Sequence, residues 1–152
     1  MNIRELLSLD SIFLPSNVAT REEAIQQMAE GMHSAGAVTD TAVFVQAVTA
    51  REQQSSTGIG FGVAIPHGKS AGVKRAALAF SRFEQPLEWE SLDDQPAAMA
   101  FMIGVPEANA GNEHLQILVA LSRKLIHDEF RAELLNAGSK QEVIDILSRH
   151  IG

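Results

Sequence analysis

The sequence predicts one α/β domain over residues 1–152, with a mixed β-sheet flanked by helices on both faces. Two patterns support this fold class. Apolar residues recur at helical spacing near both ends of the chain, whereas short apolar runs typical of strands occupy the middle. With 152 residues, of which 45% are apolar and 20% charged, the chain is long enough to bury one core.

Composition excludes several kinds of protein. The chain has no cysteine, so it has no disulfide framework, no thiol chemistry and no cysteine-bound zinc. A formal net charge of −7 argues against nucleic-acid binding, which needs a basic surface. Because the N-terminus has no apolar signal core and no run of about 18 apolar residues occurs, we expect a cytoplasmic protein without a membrane segment.

The first third of the chain predicts two short elements and a long helix. Residues 1–9 can form a helical turn, and Ser11–Leu14 is an apolar strand that ends at a proline. Thr20 and Glu23 form a capping-box pattern, and Gly36 ends the helix that they begin. Its buried stripe is Ile25, Met28, Ala29 and Met32.

Arg51 lies on the apolar side of the next predicted helix. Thr39 or Asp40 caps this helix, which runs to about Gln53. Arg51 continues the face formed by Phe44, Ala47 and Val48, where a guanidinium is costly unless an anion meets it. Either the helix has ended and Arg51 extends to water, or Arg51 points into an anion-binding site.

The stretch Thr57–Ser70 contains the most informative histidine. Alternate glycines lead into a predicted strand, Phe61–Ile65, that stops at Pro66. His67 would then be the first side chain past a strand end, where open α/β sheets place ligands, and Gly68 would let the backbone turn. The alternative is a histidine in a solvated loop.

Other kinds of site fit this stretch less well. Gly68-Lys69-Ser70 resembles the end of a phosphate-binding P-loop, but that motif needs four residues between its glycines, and five residues separate Gly62 from Gly68. A metal site formed by His67, Glu113 and His114 lacks a recognised ligand spacing. No Gly-x-Ser-x-Gly pattern of a serine hydrolase occurs.

Three further strands are predicted in the middle of the chain. Ala76–Phe83 places Leu78 and Phe80 on one face, and Leu87–Glu90 alternates like a half-exposed strand. Ala97–Ile103 is apolar at nearly every position, which is typical of a strand buried on both faces.

Three helices are predicted to complete the chain. Asn112 caps a helix from Glu113 to about Ile126, and His114 lies in its first turn on the side of Leu118, Leu121 and Leu125. A helix N-terminus attracts anions and favours neutral imidazole, although a buried histidine bound to a carbonyl is the alternative. Two shorter helices begin near His127 and Ser139. Their inward residues are Phe130, Leu134, Val143, Ile144 and Leu147.

His67, His114 and Arg51 together favour phosphoryl transfer. A histidine side chain titrates near ~6.5, so much of it is neutral and nucleophilic at cytoplasmic pH. The migrating phosphoryl group carries negative charge, which an arginine can bind through two oxygens at once.

The sequence resembles the type-2 enzyme IIA family, of the fructose and mannitol class, of the bacterial phosphoenolpyruvate-dependent sugar phosphotransferase system. The resemblance covers essentially the whole chain. Its matching residues are Thr57–Gly60, Ala64–Lys69, Val105–Glu107 and Gly111–Leu115.

The resemblance implies a phosphohistidine relay. His67 would accept a phosphoryl group from the carrier HPr and pass it to a cysteine of enzyme IIB. His114 would support that group without carrying it, and Arg51 would stabilise it. The family works without a metal or an organic cofactor, and its fold is a mixed sheet flanked by helices.

Two functions remain open at this point. The chain is closest to the fructose-like branch, which feeds sugar uptake through the membrane component IIC. A nitrogen-type regulatory member, whose phosphorylation state controls a partner, has the same pattern. Because the chain has no cysteine, the IIB acceptor would lie on another polypeptide or another part of a longer one.

Overall fold

The computed structural model describes residues 2–108 and 113–151, with Glu113 and His114 described through their backbone alone. The helices in this part of the chain are α1 (Ile3–Leu6), α2 (Arg21–Ser34), α3 (Thr41–Gln54), α4 (Glu113–Leu125), α5 (Asp128–Asn136) and α6 (Lys140–Ile151). The strands are β1 (Ile12–Ser16), β2 (Gly58–Gly60), β3 (Val63–Ala64), β4 (His67–Ser70), β5 (Ala77–Leu87) and β6 (Ala97–Pro106).

The strands form one mixed sheet with the order β1-β5-β6-β3-β2, and β4 pairs with the far end of β6. β1 lies parallel to β5, and both β3 and β4 lie parallel to β6. The β5–β6 and β2–β3 pairs are antiparallel. β6 therefore lies at the centre of the sheet, as its continuous apolar sequence predicts.

Side chains that alternate along β5 and β6 separate two cores. Leu78 and Phe80 pack into the core under α1, α4, α5 and α6, whereas Ala77 and Ala79 pack into the core under α2 and α3. The predicted α/β fold with helices on both faces is confirmed. Across the described ranges, no helix is long and apolar enough to cross a membrane.

Local sequence patterns correctly predict where α2 and α3 begin and where α2 ends. Thr20 and Glu23 form the capping box of α2, and the chain leaves that helix through Gly36 at φ +84°. Asp40 caps α3 by accepting a hydrogen bond from the Val43 backbone at 3.2 Å. The Asn112 cap predicted for α4 lies outside the described residues, and α4 ends at Leu125, one residue before the predicted end.

The predicted strand Phe61–Ile65 is wrong. The backbone reverses at Phe61 and Gly62, both at positive φ, so β2 and β3 form a short hairpin. The Phe61 N–H donates to Asp93 Oδ2 at 3.1 Å, a contact distant in sequence that stabilises the turn. His67 is consequently the first residue of β4 and not the residue after a strand, and the turn expected at Gly68 comes after Ser70.

The strand predicted over Leu87–Glu90 is also wrong. β5 ends at Leu87, and the chain then turns through Glu90 at φ 57°. Trp89 is fully buried, and its indole N–H donates to Glu52 Oε1 at 3.3 Å. In Leu87–Glu90 the alternation of apolar and acidic residues therefore belongs to a loop that is held by a buried tryptophan, and not to a half-exposed strand.

A charged contact connects the last two helices. Glu133 on α5 accepts hydrogen bonds from His150 Nε2 at 2.6 Å and Arg149 Nη2 at 2.8 Å on α6. The hydrogen bond from His150 is the main reason that the pKa of Glu133 lies below its ordinary value of 4.5. The ionised carboxylate therefore stabilises the folded state.

We expect the stability difference between wild type and Glu133→Gln to depend on pH. Because the folded pKa of Glu133 is the lower one, its stabilisation is present above pH 4.5 and is lost as the pH falls through the folded pKa. Urea unfolding at pH 7 and pH 3 measures the difference in the free energy of unfolding. Glu129→Gln is the control, since Glu129 is an exposed residue of the same helix. A difference of equal size at both pH values would contradict the prediction.

Candidate functional site

Two glycines let α3 lie directly on the sheet beside His67. Gly68 and Gly104 are neighbours across β4 and β6. A Cβ atom at Gly68 would lie 3.0 Å from Val48 Cγ2 and 3.2 Å from Val48 N, and one at Gly104 would lie 2.9 Å from Phe44 Cζ. These close approaches explain why α3 packs against the strand that His67 begins.

Arg51 and His67 line the same cavity between α3 and β4. The cavity has a volume of about 320 Å³. Its lining residues are Ala47, Ala50, Arg51, Gln54, His67, Gly68 and Lys69. Arg51 lies inside α3, which continues to Gln54, so the interpretation that the helix ends before Arg51 is wrong. Two cationic side chains and no acidic one occur among these described lining residues, which favours an anionic ligand.

The hydrogen bond of His67 defines its tautomer. His67 is half-buried, and its Nδ1 atom lies 2.9 Å from the carbonyl oxygen of Ile65. A carbonyl oxygen only accepts hydrogen bonds, so Nδ1 carries the proton. In the neutral ring the lone pair is then on Nε2, which is the atom that can attack an electrophile.

The Arg51 side chain is anchored at the end of its own helix. Arg51 Nη1 donates to the Ser55 carbonyl oxygen at 2.8 Å and to Ser55 Oγ at 3.4 Å. Ser55 is the C-cap residue of α3. Both bonds use Nη1. A guanidinium also has N–H groups on Nε and Nη2, and these are donors with which Arg51 can bind an anion.

Glu52 is not among the residues predicted from the sequence, and it is buried with 7% exposure. Its carboxylate accepts hydrogen bonds from the Thr57 hydroxyl, from Thr57 N at 3.3 Å and from Trp89 Nε1 at 3.3 Å. One pattern in the sequence could have indicated it. Glu52 lies four residues after Val48 and eight after Phe44, on the buried stripe of α3.

The second predicted histidine lies near the start of α4. His114 is the second residue of that helix, and α4 packs on β6, the strand that pairs with His67. Its side chain, like that of Glu113 in the metal-site alternative, lies outside the described residues. Ile117, Leu121 and Leu125 form the buried stripe of α4, whereas Leu118 is half-buried.

Comparison with known proteins identifies the family. Residues 5–150 match the model of the phosphoenolpyruvate-dependent sugar phosphotransferase system, EIIA 2. The fructose-specific EIIA component of Haloferax volcanii is 42% identical over 147 residues, which cover 97% of this chain and 95% of that protein. The fructose-specific EIIABC component of Bacillus subtilis is 43% identical over 150 residues, which cover 99% of this chain. The chain spans only 24% of that longer relative.

Solved structures share the fold. The nitrogen regulatory protein IIA-Ntr of Neisseria meningitidis superposes with a TM-score of 0.87 at 35% identity, covering 94% of this chain and 97% of that one. The Escherichia coli IIAMtl, solved with phosphorylated IIBMtl, superposes with a TM-score of 0.78 at 27% identity, covering 95% and 99%. The chain therefore belongs to the type-2 EIIA family of the phosphoenolpyruvate-dependent sugar phosphotransferase system, whose members are phosphotransferase components.

Proposed function

We propose that the chain is a cytoplasmic phosphocarrier that accepts a phosphoryl group on Nε2 of His67 and passes it to a cysteine of enzyme IIB. One observation supports this most directly. The bond from Nδ1 to Ile65 leaves the lone pair on Nε2, in a half-buried ring beside the cationic side chains of Arg51 and Lys69.

The first transfer needs a phosphohistidine donor such as HPr. The Nε2 lone pair attacks phosphorus, and the Nε2–P bond forms as the N–P bond of the donor breaks. The electron pair of the broken bond returns to the donor imidazole. The proton on Nδ1 of His67 stays there, hydrogen-bonded to Ile65, so the phosphorylated ring is an imidazolium.

The second transfer reverses these roles. A cysteine thiolate of IIB attacks phosphorus, the S–P bond forms and the Nε2–P bond breaks, with its electron pair returning to Nε2. An imidazolium leaves as neutral imidazole, which makes His67 a good leaving group. Neither transfer needs an organic cofactor, since the chemistry depends on positioning and on charge compensation.

Arg51 and Lys69 supply that charge compensation. The phosphoryl group carries spread negative charge in the transition state, and a guanidinium donor placed beforehand is worth about 10²–10³ in rate in comparable oxyanion sites. His114 is proposed to support the same group without carrying it, as the family resemblance implies.

The proposed partners follow from the family. The donor is HPr or an HPr-like domain, the acceptor is an enzyme IIB, and the membrane component IIC completes sugar uptake. We propose a fructose-like sugar because relatives 42% and 43% identical are named fructose-specific.

Wild-type protein incubated with phosphoenolpyruvate, enzyme I and HPr should gain about 80 Da, the mass of one phosphoryl group. Intact-protein mass spectrometry measures the gain, which acid should remove. NMR correlation of the ring protons and nitrogens should place the group on Nε2. Addition of an IIB domain should then remove the phosphoryl group from His67. If the wild-type protein gains no mass with phosphoenolpyruvate, enzyme I and HPr, the proposal is contradicted.

A regulatory role is the second candidate, because the structure of IIA-Ntr is so similar. In that case the phosphorylation state of His67 would control a binding partner. Capture of the same partner by one phosphorylation state alone, with no transfer to any IIB of the source organism, would favour regulation over transport.

A further inference from the structure

Glu52 connects four parts of the chain in a buried network. Besides Thr57 and Trp89, its Oε2 atom lies 3.8 Å from Nη1 of Arg21 on α2. Arg21 also donates to the Trp89 carbonyl oxygen at 3.4 Å. A buried carboxylate is costly unless hydrogen bonds and a counter-charge compensate it, and Glu52 has both.

The network holds the loop that anchors Arg51. Thr57 is bound to Glu52 through both its backbone N–H and its hydroxyl. Ser56 Oγ donates to the Trp89 carbonyl oxygen at 2.7 Å. Ser55, whose carbonyl oxygen accepts the bond from Arg51, directly precedes these two residues. The position of the Arg51 anchor is therefore set by the residues that Glu52 binds.

We propose that Glu52 is a positioning residue for phosphoryl transfer, which acts by holding the 55–57 loop and thereby aiming the Arg51 guanidinium into the His67 cavity. This inference rests on the proposed function of Arg51. Glu52 touches no reacting atom. A lost carboxylate frees the loop, and a misplacement of about 1 Å can cost up to a hundredfold in rate.

A double-mutant cycle tests the proposal. The measurement is the single-turnover rate of transfer from phosphorylated HPr, taken over a range of carrier concentrations. We expect Glu52→Leu to lower the saturating rate about tenfold, which is less than the roughly hundredfold loss that a full misplacement of about 1 Å can cause. The half-saturating HPr concentration should stay unchanged. In an Arg51→Ala background the same change should alter the rate less than about twofold, because neighbouring residues that act as a unit are not additive.

Two further variants keep the test informative if Glu52→Leu does not fold. Thr57→Val retains the side-chain shape but removes the hydroxyl donor, and it should slow transfer only when Arg51 is present. Glu52→Gln retains an oxygen acceptor for Thr57 and Trp89 and should recover most of the rate. Val143→Ala on α6 is the matched control, since it weakens the opposite core and should leave the rate unchanged.

The outcomes separate this inference from the proposed function. If Glu52→Leu or Thr57→Val slows transfer equally with and without Arg51, Glu52 does not act through Arg51 and the inference is overturned. A change confined to the half-saturating HPr concentration overturns it too. If Arg51→Ala alone leaves the rate unchanged, the proposed role of Arg51 fails and the inference fails with it.

Discussion

We expect His67→Ala to remove all phosphorylation by HPr. Alanine has no nucleophile, and the described lining residues of the cavity include no second histidine that could replace Nε2. Intact-protein mass after incubation with phosphoenolpyruvate, enzyme I and HPr should stay at the unmodified value, whereas wild type gains about 80 Da. The fold should persist, because His67 is half-buried at the first position of β4.

His127→Ala is the matched control for this experiment. His127 is exposed, precedes α5 and lines a different cavity, so its replacement should leave the mass gain intact. Circular dichroism of both variants checks that they fold. Labelling of His67→Ala at the wild-type rate would show that another residue is the acceptor.

Arg51→Ala should lower the rate of phosphoryl transfer about a hundredfold, the lower end of the loss from one donor in an oxyanion site. Arg51 lines the cavity of His67, and the hydrogen bond from its Nη1 to the Ser55 carbonyl oxygen holds the guanidinium at the end of α3. Single-turnover reactions with phosphorylated HPr, quenched at a series of times, measure the rate of transfer. Lost contact with Ser55 should reduce stability by only about 1 kcal/mol, so the variant should remain folded.

Two variants show what Arg51 contributes. Arg51→Lys keeps a positive charge but loses the planar fork of donors, so its rate should lie between those of wild type and Arg51→Ala. Lys69→Ala removes an exposed charge from the same cavity and should cost less than tenfold, since water screens that charge. If Arg51→Ala transfers within twofold of wild type, Arg51 has no role in the chemistry.

Much of the fold could be predicted from local sequence. The capping box at Thr20 and the cap at Asp40 each bind a backbone N–H three residues away, so a short stretch contains the whole interaction. Likewise, the continuous apolar run of β6 predicts a central strand, because only a strand covered on both faces buries every side chain.

The candidate site was predictable in part. His67 follows a glycine-rich apolar stretch, and Arg51 interrupts an apolar helix face, so each is unusual in its local context. The structure places both in one cavity. Glu52 was not predicted, because a single acidic residue near a helix end is usually exposed to water. Only the tertiary structure brings Thr57 and Trp89 to its carboxylate as hydrogen-bond donors.

The sequence by itself thus determined the fold class, the starts of α2 and α3, the central strand and the candidate residues for the chemistry. Tertiary structure alone decided the path of the chain from Gly58 to Ser70, the burial of Trp89 and the network of Glu52. The physical reason is the range of the interactions. The turn at Phe61 depends on Asp93, and His67 enters a strand because Ile103 pairs with it, so both depend on partners more than 30 residues away.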